Sequence, residues 1–180
     1  ALLAGSRKQE IKNNLPLMLE ASTAFPDYQF VLAGAPGIEH EYYKQFIGDA
    51  GVKVVFDRTY ALLSYADAAL VTSGTATLET ALFRVPCYYM AAGKFISFLK
   101  KMVLKVQFVS LVNLIAGKEV VKELVAGTMT VNNVKEELSK ILYDEKYRAD
   151  MLQEYDRIIR ILGSAGASEH AAKEMVRLLK

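Results

Sequence analysis

Short apolar runs alternate with amphipathic segments along the N-terminal half of this sequence. The apolar runs are bounded by turn residues and lie at 2–4, 28–33, 52–56, 68–72 and 86–90. Segments with helical spacing separate them, at about 6–25, 38–50, 60–65 and 75–84. Continuous apolar strands that alternate with helices are typical of a parallel sheet covered by helices on both faces. The pattern therefore predicts an α/β fold, a Rossmann-like three-layer arrangement around a parallel sheet.

Three further predictions concern local structure. Pro16 should interrupt the first helical segment near residues 13–16, because proline fits a first turn better than a helix interior. Residues 108–115 read as a strand that passes into a loop, and residues 119–125 read as a helix. From residue 131 onward the spacing is helical, at 131–143, 145–162 and 168–179. We therefore expect a sheet domain over residues 1–130 and a helical tail over 131–180, which needs an apolar partner surface.

The most informative stretch is the strand, turn and helix start at residues 69–79. A helix start has free N–H groups and a partial positive charge, which suit a phosphate. Gly74 has no side chain to block a close approach, and Ser73 and Thr75 are cap residues that also offer hydroxyl donors. Glu79 lies one helical turn after Thr75, where a carboxylate could bind ribose hydroxyls. The alternative is an ordinary helix cap followed by a solvated glutamate.

A second turn, Gly5-Ser6-Arg7, follows the first predicted strand. Ligands of parallel α/β sheets bind in the crevice outside the carboxyl ends of the strands. Both this turn and the Ser73-Gly74-Thr75 turn come directly after strands, so both should face the same crevice. We therefore expect two groups of anion-binding residues to lie at one edge of the sheet.

Residues 94–106 combine apolar side chains with four lysines and no acidic residue. Such a helix could lie on an anionic membrane surface, or it could be a core helix whose lysines extend to solvent. The candidate lipid-facing residues are Phe95, Phe98, Leu99, Lys100, Lys101 and Met102.

Composition narrows the class of protein. The 180 residues are 52% apolar, which is enough for a sizeable core, and the net charge of +2 does not call for a nucleic-acid partner. The single cysteine, Cys87, excludes a disulfide framework within the chain. His40 and His170 lack metal-ligand spacing and should lie at the surface. The sequence begins inside a strand-like pattern without methionine, which we interpret as the start of a fragment.

Three segments in this order resemble the lipid-A-disaccharide synthase family: LLAGSRKQEI at 2–11, SGTATLE at 73–79 and VSLVNLIAGKEVVKEL at 109–124. The resemblance covers essentially the whole chain, as the C-terminal half of that enzyme. It implies an inverting glycosyltransferase of the GT-B fold, which transfers 2,3-diacylglucosamine from UDP to 2,3-diacylglucosamine 1-phosphate (lipid X) and releases UDP. It also implies a cytoplasmic location, peripheral to the inner membrane of a Gram-negative bacterium, with no metal or other cofactor.

The resemblance also assigns roles to individual residues. Gly5, Ser6, Arg7, Ser73, Gly74, Thr75 and Glu79 would bind the UDP donor. Arg7 would stabilise the leaving diphosphate, and Asn113 matches an asparagine implicated in function in the family. The tail over residues 131–180 would pack across to a missing N-terminal half, which would carry the general base, so this fragment alone should be inactive. Self-association by domain swapping is a further hypothesis.

The sequence departs from the family pattern at three places. Ala4 and Val112 stand where many members have proline, and the predicted fifth strand at 86–90 is about three residues short. Two other classes of function therefore remain open. One is another UDP-sugar GT-B enzyme, such as a peptidoglycan-precursor transferase or a 2-epimerase. The other is a non-catalytic α/β binding module, in which the Ser-Gly-Thr turn is only a cap.

Overall fold

The structure, a computed structural model, describes residues 1–48, 50–91, 107–163 and 166–178. Its strands are β1 (Leu2–Leu3), β2 (Val31–Gly34), β3 (Lys53–Phe56), β4 (Ala69–Val71), β5 (Cys87–Ala91) and β6 (Glu123–Val125). Its helices are α1 (Lys8–Ser22), α2 (His40–Ile47), α3 (Thr59–Tyr65), α4 (Gly74–Leu82), α5 (Leu111–Ala116), α6 (Val131–Tyr143), α7 (Glu145–Leu162) and α8 (Ala167–Leu178). A short 3-10 turn at Ala126–Thr128 follows β6.

The six strands form one sheet in the order β3-β2-β1-β4-β5-β6, and every neighbouring pair is parallel. Strands β1, β2 and β3 follow one another from the centre of the sheet to one edge, and β4, β5 and β6 follow one another from the centre to the opposite edge. Because crossover connections are right-handed, this reversal places α1 and α4 on opposite faces of the sheet. The predicted Rossmann-like α/β fold is confirmed.

The core lies on both faces of the two central strands. Leu2 and Leu70 are fully or almost fully buried, and they are paired in register across β1 and β4. Helices α1 and α6 contact each other, as do α4, α5 and α7, so each helix group closes over part of the sheet. One large cluster of buried side chains includes residues from both groups, among them Ile11, Leu138 and Tyr155.

Helix α1 continues through Pro16, so the predicted interruption near residues 13–16 is wrong. Leu15 and Met18, on either side of the proline, are fully buried in the core. The Asn14 side chain donates to the Glu10 carbonyl oxygen at 2.8 Å, within the turn that precedes the proline. Burial of this apolar face therefore outweighs the helix-breaking tendency of one proline.

Two predictions between residues 108 and 125 are also wrong. The expected strand at 108–115 is helix α5, which Ser110 caps by accepting a hydrogen bond from the Asn113 N–H at 3.3 Å. The expected helix at 119–125 ends instead in strand β6, which pairs with β5 over residues 123–125. Strand β5 itself has five buried residues and is paired on both sides, although its sequence is short for the family pattern.

The C-terminal helices begin and end close to the predicted residues. Met151, Tyr155 and Ile158 of α7 are buried in the same core as the sheet. The Tyr155 hydroxyl accepts a hydrogen bond from the Cys87 N–H at 3.3 Å, which ties α7 to the start of β5. By contrast, α8 exposes Met175 and Leu178. The domain boundary at residue 130 and the packing of the tail across to another half of the protein stay predictions.

The predicted lipid-facing residues, Phe95, Phe98, Leu99, Lys100, Lys101 and Met102, lie outside the described residues. Among the helices that the structure describes, none combines the length and the apolar character needed to cross a bilayer.

Candidate functional site

The strand order reverses between β1 and β4, and this reversal defines a crevice at their carboxyl ends. Leu3 lies opposite Val71 at the end of the shared register. The Gly5-Ser6-Arg7 turn and the Ser73-Gly74-Thr75 turn therefore leave the sheet side by side. The structure thus brings together the two groups of residues that the sequence predicts at one crevice.

Gly5 allows the first turn to fold tightly against α1. Its φ angle is +112°, and a Cβ atom there would lie 2.6 Å from Glu10 Cβ and 3.2 Å from Thr72 Oγ1. A side chain would clash with Glu10 and press against Thr72, and the backbone conformation itself favours glycine. Glycine is therefore required where the Gly5 turn meets β4.

Glu10 organises the start of α1. Its Oε2 atom accepts a hydrogen bond from the Ser6 N–H at 3.0 Å, and its Oε1 atom accepts one from Arg7 Nη1 at 2.8 Å. A glutamate in the first helical turn that reaches back in this way resembles a capping box. The Arg7 side chain is 80% exposed, so its guanidinium is held by one ion pair and remains open to solvent.

Helix α4 begins at the second turn, with Ser73 as its N-cap. The Ser73 and Thr75 hydroxyl oxygens lie 2.9 Å apart and form a hydrogen bond with each other. The Ser73 side chain does not cap a backbone N–H group of the helix. The first N–H groups of α4 have no partner within the helix, as at every helix start. Hydroxyl and amide donors are therefore gathered at the α4 start.

Because Gly74 has no side chain, the backbone at residues 109–111 can pack closely against the start of α4. A Cβ atom at this position would lie 3.1 Å from the Val109 carbonyl oxygen and 3.9 Å from the Leu111 nitrogen. The turn at residues 109–111, called here the 109–111 turn, thus lies directly against the α4 start. The sequence offered no signal for this contact, and the closer approach of a phosphate to Gly74 stays a prediction.

Glu79 is partly buried on α4, one turn beyond the helix start. The Tyr60 hydroxyl donates to Glu79 Oε1 at 3.4 Å, and the Tyr60 ring lies 5.4 Å from the ring of Phe83. Tyr60 belongs to α3, which follows β3, so it approaches Glu79 from a third strand end. The sequence suggests the loop at residues 57–60 for the uracil end of a nucleotide, but it gave no signal for the contact between Tyr60 and Glu79.

Asn113 is fully buried, and its amide is engaged on both sides. The Nδ2 atom donates to the Val121 carbonyl oxygen at 2.8 Å and to Glu123 Oε1 at 2.9 Å. The Oδ1 atom accepts from the N–H groups of Val120 at 2.7 Å and Val121 at 2.9 Å. These contacts join α5 to the approach of β6. A catalytic role for Asn113 stays a prediction.

Tyr89 lies near two carboxylates at this side of the sheet. Burial, together with the negative charges of Glu123 and Glu10, raises the pKa of Tyr89 to about 12. The phenol therefore remains neutral across the physiological range and can only act as a hydrogen-bonding group.

Two other features of the described residues bear on the choice of site. A cavity of about 410 Å³ lies at the opposite, amino edge of the sheet, next to Ala1, Tyr28 and Ala68. Parallel sheets bind ligands at the carboxyl edge, so we assign the candidate site to the crevice. Within the described ranges, no group of three His, Cys, Asp or Glu side chains is placed to hold a metal ion.

Comparison with known proteins gives a consistent result. Residues 1–176 match the family model described as lipid-A-disaccharide synthetase. The chain is 36% identical to the lipid-A-disaccharide synthase of Syntrophus aciditrophicus, over 100% of this chain and 49% of that protein. It is 38% identical to the synthase of Myxococcus xanthus, over 99% of this chain and 49% of that protein. The chain thus spans about half the length of the curated relatives it matches.

Proposed function

Because the chain belongs to the lipid-A-disaccharide synthetase family, we propose that it is the nucleotide-binding part of a glycosyltransferase that acts in lipid A synthesis. In this proposal UDP-2,3-diacylglucosamine is the donor and 2,3-diacylglucosamine 1-phosphate (lipid X) is the acceptor. The transfer inverts the anomeric carbon and releases UDP. The observation that carries the proposal is the convergence of the Arg7 turn and the α4 start at the reversal of strand order.

The diphosphate of the donor would bind at the α4 start. Its charge matches the free N–H groups and the positive end of the helix dipole, and the Ser73 and Thr75 hydroxyls add donors. Next to it, the Glu123 carboxylate accepts hydrogen bonds from the N–H groups of Val109 and Ser110, which lie just before α5. These two N–H groups are therefore engaged within the chain, and we place the external anion at the α4 start.

Arg7 and Glu79 would act at the two ends of the bound nucleotide diphosphate. The exposed guanidinium of Arg7 can reach negative charge that develops on the leaving UDP, and charge-assisted hydrogen bonds of this kind are among the strongest available. Glu79, one turn further along α4, would accept hydrogen bonds from the ribose hydroxyls. Both roles depend on residues of this chain alone and require no metal ion.

The proposal also covers the acceptor site, the general base and the contact with the membrane. Both substrates carry acyl chains, which suits a protein that works at the cytoplasmic surface of the inner membrane. The lysine-rich residues 95–102 would make that contact. A partner half of the protein, packed against the C-terminal helices, would complete the cleft.

Calorimetric titration of the chain with UDP, without divalent metal, tests the nucleotide site. We expect binding that weakens roughly tenfold or more in Arg7→Ala and in Glu79→Ala, because each variant loses charge-assisted hydrogen bonds. Arg157→Ala is the matched control, since Arg157 forms a similarly spaced pair with Glu154 on α7. Glu41→Ala is the control for the loss of an exposed glutamate.

Two outcomes would contradict the proposal. One is a cooperatively folded chain that does not bind UDP. The other is UDP binding that neither Arg7→Ala nor Glu79→Ala weakens, because the nucleotide would then bind elsewhere. A non-catalytic binding module predicts the first outcome. Another UDP-sugar transferase predicts normal UDP binding but no activity with the diacylated substrates when the longer protein is assayed.

A further inference from the structure

The 109–111 turn is fixed on one side by a carboxylate from β6. Glu123 Oε1 accepts hydrogen bonds from the Ser110 N–H at 2.9 Å and from the Val109 N–H at 3.0 Å. Glu123 Oε2 accepts a second bond from the Val109 N–H, also at 3.0 Å. A carboxylate that accepts several backbone N–H groups is a strong anchor, because the acceptor is charged. The turn therefore has little freedom to move away from β6.

Asn113 braces the same carboxylate. Its Nδ2 atom donates to Glu123 Oε1 at 2.9 Å, while its Oδ1 atom accepts from the backbone N–H groups of Val120 and Val121. Asn113 thus sets the position of the chain that leads into β6 and orients the Glu123 side chain at the same time. With its amide engaged in four hydrogen bonds, Asn113 acts through its neighbours in this structure.

On its other side the 109–111 turn contacts the candidate phosphate site. The Val109 carbonyl oxygen lies 3.1 Å from the position of a Cβ atom on Gly74, the first residue of α4. At this separation the two backbones are in close contact, so a shift of the turn changes the space and the orientation of the α4 start. A continuous path of contacts therefore links Asn113 and Glu123 to the N–H groups of α4.

We propose that Glu123, braced by Asn113, is a positioning residue for nucleotide binding, because it holds the 109–111 turn against the α4 start. This inference rests on the proposed function, since it assigns Glu123 to the same UDP site. Glu123 acts through the turn, and the anion is bound by the donors of α4. Without the carboxylate, the Val109 and Ser110 N–H groups lose their acceptor, and the turn must rearrange to find another.

The first experiment compares Glu123→Ala with Glu123→Gln in the UDP titration. Glutamine keeps an Oε1 atom for the bonds from Val109, Ser110 and Asn113 and loses only the second Val109 bond at Oε2, whereas alanine keeps none of these acceptors. We expect UDP affinity to fall roughly tenfold in Glu123→Ala and to stay within about threefold of wild type in Glu123→Gln. Glu119→Ala is the matched control, because Glu119 is an exposed glutamate of the same segment that pairs with Lys122. Equal affinity of Glu123→Ala and wild type would overturn the inference and leave the proposed function intact.

The second experiment needs no ligand. Gly74→Ala should lower the melting temperature because its Cβ atom presses on a fixed turn. In a Glu123→Ala background the turn can yield, so we expect the same substitution to lower the melting temperature by at most half as much. Additive effects in this double-mutant cycle would show that Glu123 does not hold the 109–111 turn against the α4 start. Absence of UDP binding by the wild-type chain would overturn the proposed function and the role of Glu123 in it. The double-mutant cycle tests separately whether Glu123 holds the 109–111 turn against α4.

Discussion

Thr72 donates two hydrogen bonds to the Leu3 carbonyl oxygen, from its backbone N–H at 3.1 Å and from its side-chain hydroxyl at 3.0 Å. These bonds join the last residue of β1 to the residue that follows β4, where the strand order reverses. The Thr72 hydroxyl also lies against Gly5, so it fixes the separation of the two turns that form the crevice.

Thr72→Val should destabilise the chain by about 1–2 kcal/mol, because it removes a buried hydroxyl bond while keeping the shape of the side chain. It should also weaken UDP binding, since the two turns lose a common anchor. Urea unfolding and calorimetric titration measure these effects. Thr72→Ser keeps the hydroxyl and is the control. If serine and valine behaved alike, the hydroxyl bond would have no part in holding the crevice.

Gly5→Ala should destabilise the chain by about 2–4 kcal/mol, because the added Cβ atom meets Glu10 in a backbone conformation that favours glycine. Gly37→Ala is a close control, since Gly37 also has a positive φ angle but no atom within 4 Å of a Cβ position. It should cost only about 1 kcal/mol, the strain of the backbone alone. Denaturant unfolding of both variants measures the difference. Equal destabilisation would show that the contact with Glu10 contributes nothing.

Tyr60→Phe should weaken UDP binding about threefold, because the variant loses the hydroxyl that donates to Glu79 and keeps the ring that contacts Phe83. The affinity for 2′,3′-dideoxy-UDP should not change, since that ligand offers no ribose hydroxyl to Glu79. Tyr65→Phe, on the same helix and 90% exposed in the wild type, is the control. A parallel loss of affinity for both ligands would argue against a role for Glu79 at the ribose.

The chain should lose stability above pH 10, and Tyr155→Phe should reduce that loss. Burial raises the pKa of Tyr155 well above its ordinary value of 10.0. Above pH 10 the unfolded chain therefore releases a proton that the folded chain retains, and stability falls as pH rises. The slope for one such group is about 1.4 kcal/mol per pH unit.

Urea unfolding between pH 9 and pH 11.5 measures this slope for the wild type and for Tyr155→Phe. The loss of stability should not disappear in Tyr155→Phe, because two other buried groups contribute to it in both proteins. Burial also raises the pKa of Cys87 to about 12 and the pKa of Tyr88 well above its ordinary value. Identical slopes in the two proteins would show that Tyr155 ionises in the folded chain as easily as in the unfolded one.

The sequence predicted the sheet well where each strand is a continuous apolar run between turn residues. Strands β1 to β5 all lie within or next to such runs, and their alternation with helices implies the parallel order. The two turns at the crevice were predictable for the same reason, because their place follows from the strand ends. The turn and helix start that would bind phosphate needed no knowledge of distant contacts.

The errors arose where an element is short and depends on distant partners. Helix α5 has six residues, too few for its periodicity to separate it from a strand, and its cap depends on Ser110 and the buried Asn113. Strand β6 has three residues and forms because β5 offers a free edge. Glu123 and Thr72 were missed for a related reason, since their roles come from contacts far away in the sequence.

In the proposed reaction, the ion pair between Arg7 and Glu10 would affect the rate of turnover. Before a nucleotide enters, the guanidinium already has an anionic partner, so a diphosphate bound as proposed would replace one anion with another. This exchange makes nucleotide binding less favourable than binding to an unpaired guanidinium would be. It also leaves a carboxylate ready to take the guanidinium back once the sugar has been transferred. Glu10 would in this way help to set how quickly the spent nucleotide departs.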